Sequence, residues 1–155
     1  MAMKKLLNAL AFDRAVGDLL ELPEVQRLRA YRHHRTDRYE HSLRVARWSF
    51  RTARLLGLDE RAAARGAVLH DLFYHDRTCR PEGYEGSAFV RHPEEAVRNA
   101  RSLTQLTEKE EDIIRSHMWP VSPRHIPHSA EAVLVNLVDD VVSVRDLMGK
   151  NRKVL

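Results

Sequence analysis

Along this chain the hydrophobic positions recur at spacings of three and four, the period of amphipathic helices, almost from end to end. Strand-like alternation is absent, and β-branched residues gather only between Val133 and Val144. A first amphipathic helix is predicted from Lys4 to Leu22, stopping before Pro23, and a short one from Glu24 to Arg32. Asp37 with Glu40 three residues on reads as a capping box that opens a long helix ending at Gly57. Asp59 caps the next helix, which reaches Leu72 or Tyr74. From His75 to Arg91 the residues Pro81, Gly83 and Gly86 indicate a loop, and Pro93, just after His92, suits the first turn of a helix. Thr107 and Glu110 make a second capping box for a helix to His117, and Pro120, Pro123 and Pro127 make the following stretch non-helical. Ser129 starts a last long helix to Met148, closed by Gly149. Six or seven helices with short connections predict an all-α bundle. The whole chain, 1–155, is expected to form one domain, with a core over about 36–148 and the helix at 4–22 packed on it.

Composition narrows what such a bundle can be. A chain of 155 residues, 43% apolar and 31% charged, can bury a full core and is not wholesale disordered. The single Cys79 excludes an intramolecular disulfide framework and a thiolate zinc knuckle, which fits a reducing cytoplasm. No run approaches the roughly 18 apolar residues of a membrane span. The longest, Ala132 to Val144, is interrupted by Asn136, Asp139 and Asp140. The start, Met1 to Leu7, hints at a signal peptide, but Asn8, Asp13 and Arg14 follow too soon, so it reads as the first helix of a cytoplasmic protein. The net charge of +4 is carried by 21 Arg against 5 Lys, many between Arg27 and Arg54. Such a bias suits a nucleic acid or a small phosphorylated substrate; a solvated helix face explains it equally.

The nine histidines change the picture more. On the helix after Asp37, His41 shares its side with Val45, Trp48 and Leu55 and is predicted to point inward. His70 lies on a face of small residues, Ala63, Gly66 and Ala67, which lets a second helix approach and leaves room for an ion. In the last helix Asp139 aligns with Val135 and Val142, whereas Asp140 aligns with Asn136 and Ser143 and is the better solvated. A carboxylate on a Val-rich face is costly unless paired, protonated or bound to a cation. Hydrogen-bonded core histidines with an Asp partner are one resolution. The simpler one is that His41, His70, Asp71 and Asp139 ligate one metal at the centre of the bundle.

His41, His70-Asp71 and Asp139 resemble the H…HD…D signature of the HD-domain superfamily of metal-dependent phosphohydrolases, and the likeness covers about Thr36 to Met148. His33-x-x-Thr36-x-x-Tyr39-Glu40-His41 and His117-Met118-Trp119-Pro120 look like those of short, stand-alone bacterial HD proteins. The resemblance implies a first metal on His41, His70, Asp71 and Asp139. It implies a second on His92 and His117, with Asp71 bridging; a helix cap for His92 and a helix-end cation for His117 are the alternatives. A nitrogen-and-oxygen donor set of this kind suits iron, manganese or zinc, with nickel or cobalt as substitutes. Hydrolysis of a small phosphate ester, a nucleotide first among them, by a metal-bound hydroxide is the implied reaction. Arg124, in a loop near His117, is the expected phosphate contact, and His33 the expected proton donor to the leaving oxygen. Asp140 is a candidate to orient the water or a ligating imidazole. Several HD phosphodiesterase families carry Lys or a second His soon after the His-Asp pair, where this chain has Leu72, Phe73 and Tyr74, which speaks against cyclic dinucleotides. Two other functions compete: a diiron oxygenase of the HD type, and a non-catalytic nucleic-acid-binding module. The retained ligand set and the scarcity of aromatic stacking residues speak against nucleic acid. No membrane partner is expected, and self-association is left open.

Overall fold

The computed structural model of the chain describes residues 2–76 and 88–149. Side-chain caps set most of its helix starts. Asp37, Asp59, Thr107 and Ser129 each accept the backbone N–H three residues on, which satisfies one of the donors a helix start leaves over. They open α3 (Arg38–Leu56), α4 (Glu60–Leu69), α6 (Glu108–Ser116) and α7 (Ala130–Leu147). Before them come α1 (Ala2–Leu20) and α2 (Pro23–Gln26), and α5 (Ala88–Leu103) lies between α4 and α6. The expected all-α bundle is what forms. Glycines with positive φ end α3 (Gly57, φ 69°) and follow α7 (Gly149, φ 66°).

At the centre α3 lies against α4 and α7, and α4 also meets α1 and α6. One cluster of buried side chains joins them, including Val16 and Leu19, Val45 and Ala46, Ala63 and Ala67, Ile113 and Ile114, and Val135 and Val142. The small-residue face of α4 lets α6 come close. A Cβ added at Gly66 would stand 2.7–2.9 Å from the Ile113 side chain. Beside that contact the buried Arg65 ties three helices together. Its Nε lies 3.0 Å from Glu110 Oε1, and its Nη1 lies 2.7 Å from Asp18 Oδ1 and donates to the Ala15 carbonyl.

The structure departs from the sequence reading in six places. The segment after α2 is a 3-10 turn, Arg27–Ala30, not a helix continuing to Arg32. Beyond it Arg32–His33 pairs antiparallel with Thr36–Asp37, a two-stranded hairpin (β1, β2) turning through His34 in the left-handed region (φ 54°). Strands of two residues carry no alternation to read. At Asp37 only half of the capping box forms, because the Glu40 carboxylate pairs with Arg29 at 3.2 Å; at Thr107–Glu110 both halves are present. The α4 helix ends at Leu69, so His70 and Asp71 sit at its mouth rather than within it. The helix bearing His92 spans Ala88–Leu103, with Pro93 inside; the fixed proline φ is helical, and Pro at the first position is a preference, not a requirement. Most of the loop expected before it, residues 77–87, lies outside the described residues. On α3, His41 and Val45 are fully buried and Trp48 half so, but Leu55 is 85% exposed, since the helix outruns the core it packs on.

Candidate metal centre

Five helices deliver six side chains to one point. His41 comes from the first turn of α3, His70 caps the C-terminus of α4 with Asp71 following, His92 lies in α5, His117 caps α6, and Asp139 projects from α7. Five of the six side chains are at most 1% exposed; Asp139 is 13% exposed and marks the side on which solvent reaches the cluster.

Asp71 is the hub. Its Oδ1 faces His92 Nε2 at 3.5 Å and His117 Nε2 at 3.7 Å, while its Oδ2 faces His33 Nδ1 at 3.3 Å and His70 Nε2 at 3.9 Å. Asp139 Oδ1 lies 2.8 Å from His41 Nε2 and 3.8 Å from His70 Nε2. The Nε2 atoms of His92 and His117 stand 2.9 Å apart. Three sets of ligand atoms gather within 4.8 Å: His41, His70 and Asp139; Asp71, His92 and His117; and His33, His41 and Asp71.

Burial and charge set the protonation of these groups. Burial alone would push the His41 imidazolium down, but hydrogen bonds to Asp139 and Asp146 outweigh it and raise His41 from 6.5 to about 9. Burial likewise opposes ionisation of Asp139, yet the nearby His70 and the His41 hydrogen bond hold its carboxyl well below the ordinary carboxylate range. His117 moves the other way, to about 3, through burial and then the neighbouring His92 and His70, so it is neutral. Asp140, by contrast, is exposed, and burial of its inner part with the Asp139 charge raises its carboxyl.

The donor chemistry fits a cation. His70 Nδ1 lies 2.7 Å from the Ala67 carbonyl and His117 Nδ1 2.8 Å from the Ile114 carbonyl. A carbonyl only accepts, so each Nδ1 carries a proton and each ring turns its Nε2 to the centre, that of the neutral His117 as a bare lone pair. His70 Nε2 is buried with no hydrogen-bond partner, its two nearest carboxylate oxygens standing at 3.8 and 3.9 Å. A buried ring nitrogen left without a partner between two buried carboxylates is what a divalent ion resolves. Nitrogen and carboxylate oxygen without thiolate is a donor set for iron, manganese or zinc.

The other predicted site residues divide. His33 joins the cluster: buried in β1, it reaches Asp71 and stacks on His41 with ring centroids 3.8 Å apart. Arg124 does not. It is exposed and lines a groove of about 1010 Å³ between α5, α6 and the 120–129 segment, among residues that include none of the six. Sequence reading missed three residues. Asp146 holds His41 Nδ1 at 3.1 Å; the buried Asn136 donates to the carbonyls of His117 and Trp119, both at 2.6 Å; Arg38 donates to the carbonyl of Phe73. Asp146 alone left a signal, since it stands seven residues beyond Asp139 on the same helix face.

The profile of the HD domain family matches residues 38–142, so the chain belongs to that family. The match takes in His41, the His70-Asp71 pair, His92, His117 and Asp139. The family is generally one of metal-dependent phosphohydrolases, and the buried His/Asp cluster could bind a metal. Neither the curated proteins nor the solved structures yield a match. No helix among the described residues is long and apolar enough to cross a membrane.

Proposed function

We propose that this chain hydrolyses a small phosphate ester, a nucleotide before other esters, in the cytoplasm. His41, His70, Asp71 and Asp139 hold one divalent transition ion, and His92 and His117 with Asp71 hold a second. Iron, manganese and zinc are the first choices, with cobalt or nickel as substitutes. One observation carries the reading: the two oxygens of Asp71 face different histidine sets, Oδ1 toward His92 and His117, Oδ2 toward His70. A carboxylate so divided is suited to bridge two cations. Bound divalent ions supply a nucleophilic water at neutral pH and offset the charge of the phosphoryl group.

The chain's own residues do the rest. Asp71 keeps the two histidine sets in register. Asp139, the member nearest solvent, stands where a substrate enters. His33, held between Asp71 and the His41 ring, delivers a proton to the leaving oxygen. Arg124 receives no substrate contact in this reading, since its groove includes no member of the cluster.

A phosphate-release screen over nucleoside monophosphates, dinucleoside polyphosphates and phosphosugars, with Mn, Fe(II), Co, Ni and Zn in turn, tests the proposal. Turnover of at least one ester with one of the metals is expected, and His33→Gln should slow it without removing metal. Iron-loaded protein that consumes oxygen with an organic substrate and leaves every ester intact would overturn it in favour of an oxygenase.

A further inference from the structure

The three histidines His41, His70 and His117 all turn Nε2 toward the centre, but they dispose of Nδ1 differently. His70 and His117 sit at helix C-termini, and each gives its Nδ1–H to the carbonyl three residues earlier, Ala67 and Ile114. Those carbonyls belong to the last turns of α4 and α6, where a helix leaves its acceptors over. His41 lies in the first turn of α3, where the preceding carbonyls are committed to the helix they begin. Its Nδ1 proton must therefore find an acceptor on another element.

Asp146 is that acceptor. It is 1% exposed, stands 105 residues away on α7, and places Oδ2 3.1 Å from His41 Nδ1. Arg44, one turn beyond His41, grips both oxygens from the far side, Nη1 at 3.1 Å from Oδ1 and Nη2 at 3.2 Å from Oδ2. On the opposite edge of the ring Nε2 faces Asp139 Oδ1 at 2.8 Å. Flipping the ring would put carbon where each nitrogen stands and lose both contacts.

We propose that Asp146 is a positioning residue for the metal centre. It takes the Nδ1 proton of His41, and the Arg44 fork holds it there, so that Nε2 alone is presented to the cation. The proposal rests on the reading of His41 as a ligand. A carboxylate behind an imidazole also makes it a stronger donor than a carbonyl does.

The test uses the full chain, stripped of metal and titrated with Zn(II) and Co(II) against a chromophoric chelator. Asp146→Leu should weaken one bound equivalent by about 10–100-fold, leave the other near parental strength and change the visible Co(II) spectrum. Arg44→Met should do the same to a smaller degree. In the zinc-loaded parent, nitrogen-15 NMR should show His41 protonated on Nδ1 and metal-bound through Nε2. Should Asp146→Leu not fold, Asp146→Asn decides, because the weaker amide acceptor should move the Nδ1–H resonance upfield. Parental affinity and Co(II) spectrum in Asp146→Leu, or an unmoved resonance in Asp146→Asn, would overturn the role of Asp146 while leaving the metal centre standing. A parent chain that binds neither ion would overturn both.

Discussion

The two sides of Asp71 are built on opposite principles. On one side, α3, α4 and α7 bring His41, His70 and Asp139 together around an ion pair of His41 with Asp139. His41 is held up at about 9 and Asp139 is held down, and the two meet at 2.8 Å with a proton between them. On the other side, α5 and α6 bring only the imidazoles His92 and His117, with His117 held down at about 3 and the two Nε2 atoms 2.9 Å apart. The first side keeps its shape through its own ion pair, and a cation there must displace the proton of His41. The second side, among the described residues, turns both its imidazoles to the shared carboxylate. Asp71 is therefore the residue on which the two sides depend together, and the rest of the centre can be taken apart one side at a time.

The largest effect is expected from Asp71→Asn, which keeps the shape and removes the charge from both sides. Metal analysis should show both equivalents lost and phosphate release at background; retention of one would show that the sides are independent. Asp139→Ala should lose the metal of the first side and all activity, while Asp140→Ala keeps the metal. Equal losses would mean that the face of α7 is wrongly placed. His117→Ala should leave one equivalent of two and most of the first-side affinity, and a parent that binds only one ion would rule out the two-ion centre. Gly66→Ala acts on the joint between the sides, because its Cβ meets Ile113 where α4 and α6 touch. It should cost about 1–3 kcal/mol of stability in denaturant unfolding. A neutral result would show that the Ile113 side chain yields freely. The smallest effect is a slope with pH in the metal-free chain. His41 is raised on folding, so its contribution is complete below 6.5 and is lost as pH rises through about 9. Denaturation midpoints should fall across that interval, and His41→Gln should flatten the fall.

What the sequence made legible was what local chemistry decides. The four caps could be read because a side-chain oxygen at Asp37, Asp59, Thr107 or Ser129 answers a backbone donor three residues away. Asp139 could be told from Asp140 because helical periodicity places only one of them among valines. The inward placing of His41, His70 and Asp139 followed from faces of that kind, while Asp71 came in as the neighbour of His70. The second pair, His92 and His117, rested on family likeness alone. What stayed hidden depends on pairings between distant segments. Periodicity puts Asp146 on the face of Asp139, but not against His41, which it meets across 105 positions. The burial of His33 depends on a left-handed turn at His34, and the position of Arg124 on how the segment after α6 folds over that helix.

One buried cation lies outside the ligand set and still governs it. Arg38, the first residue of α3, is 1% exposed; its guanidinium lies 3.6 Å over the Phe73 ring and donates to the carbonyls of Phe73 and His75. The strand of chain that leaves the His-Asp turn is thus moored from inside the molecule within four residues of Asp71. Whatever follows that mooring can be lengthened, shortened or recoloured in sequence without tugging on the carboxylate. The mooring is double, since Asn99 of α5 donates to the Leu72 carbonyl from the other side, so the carboxylate is pinned between two helices before the chain moves on.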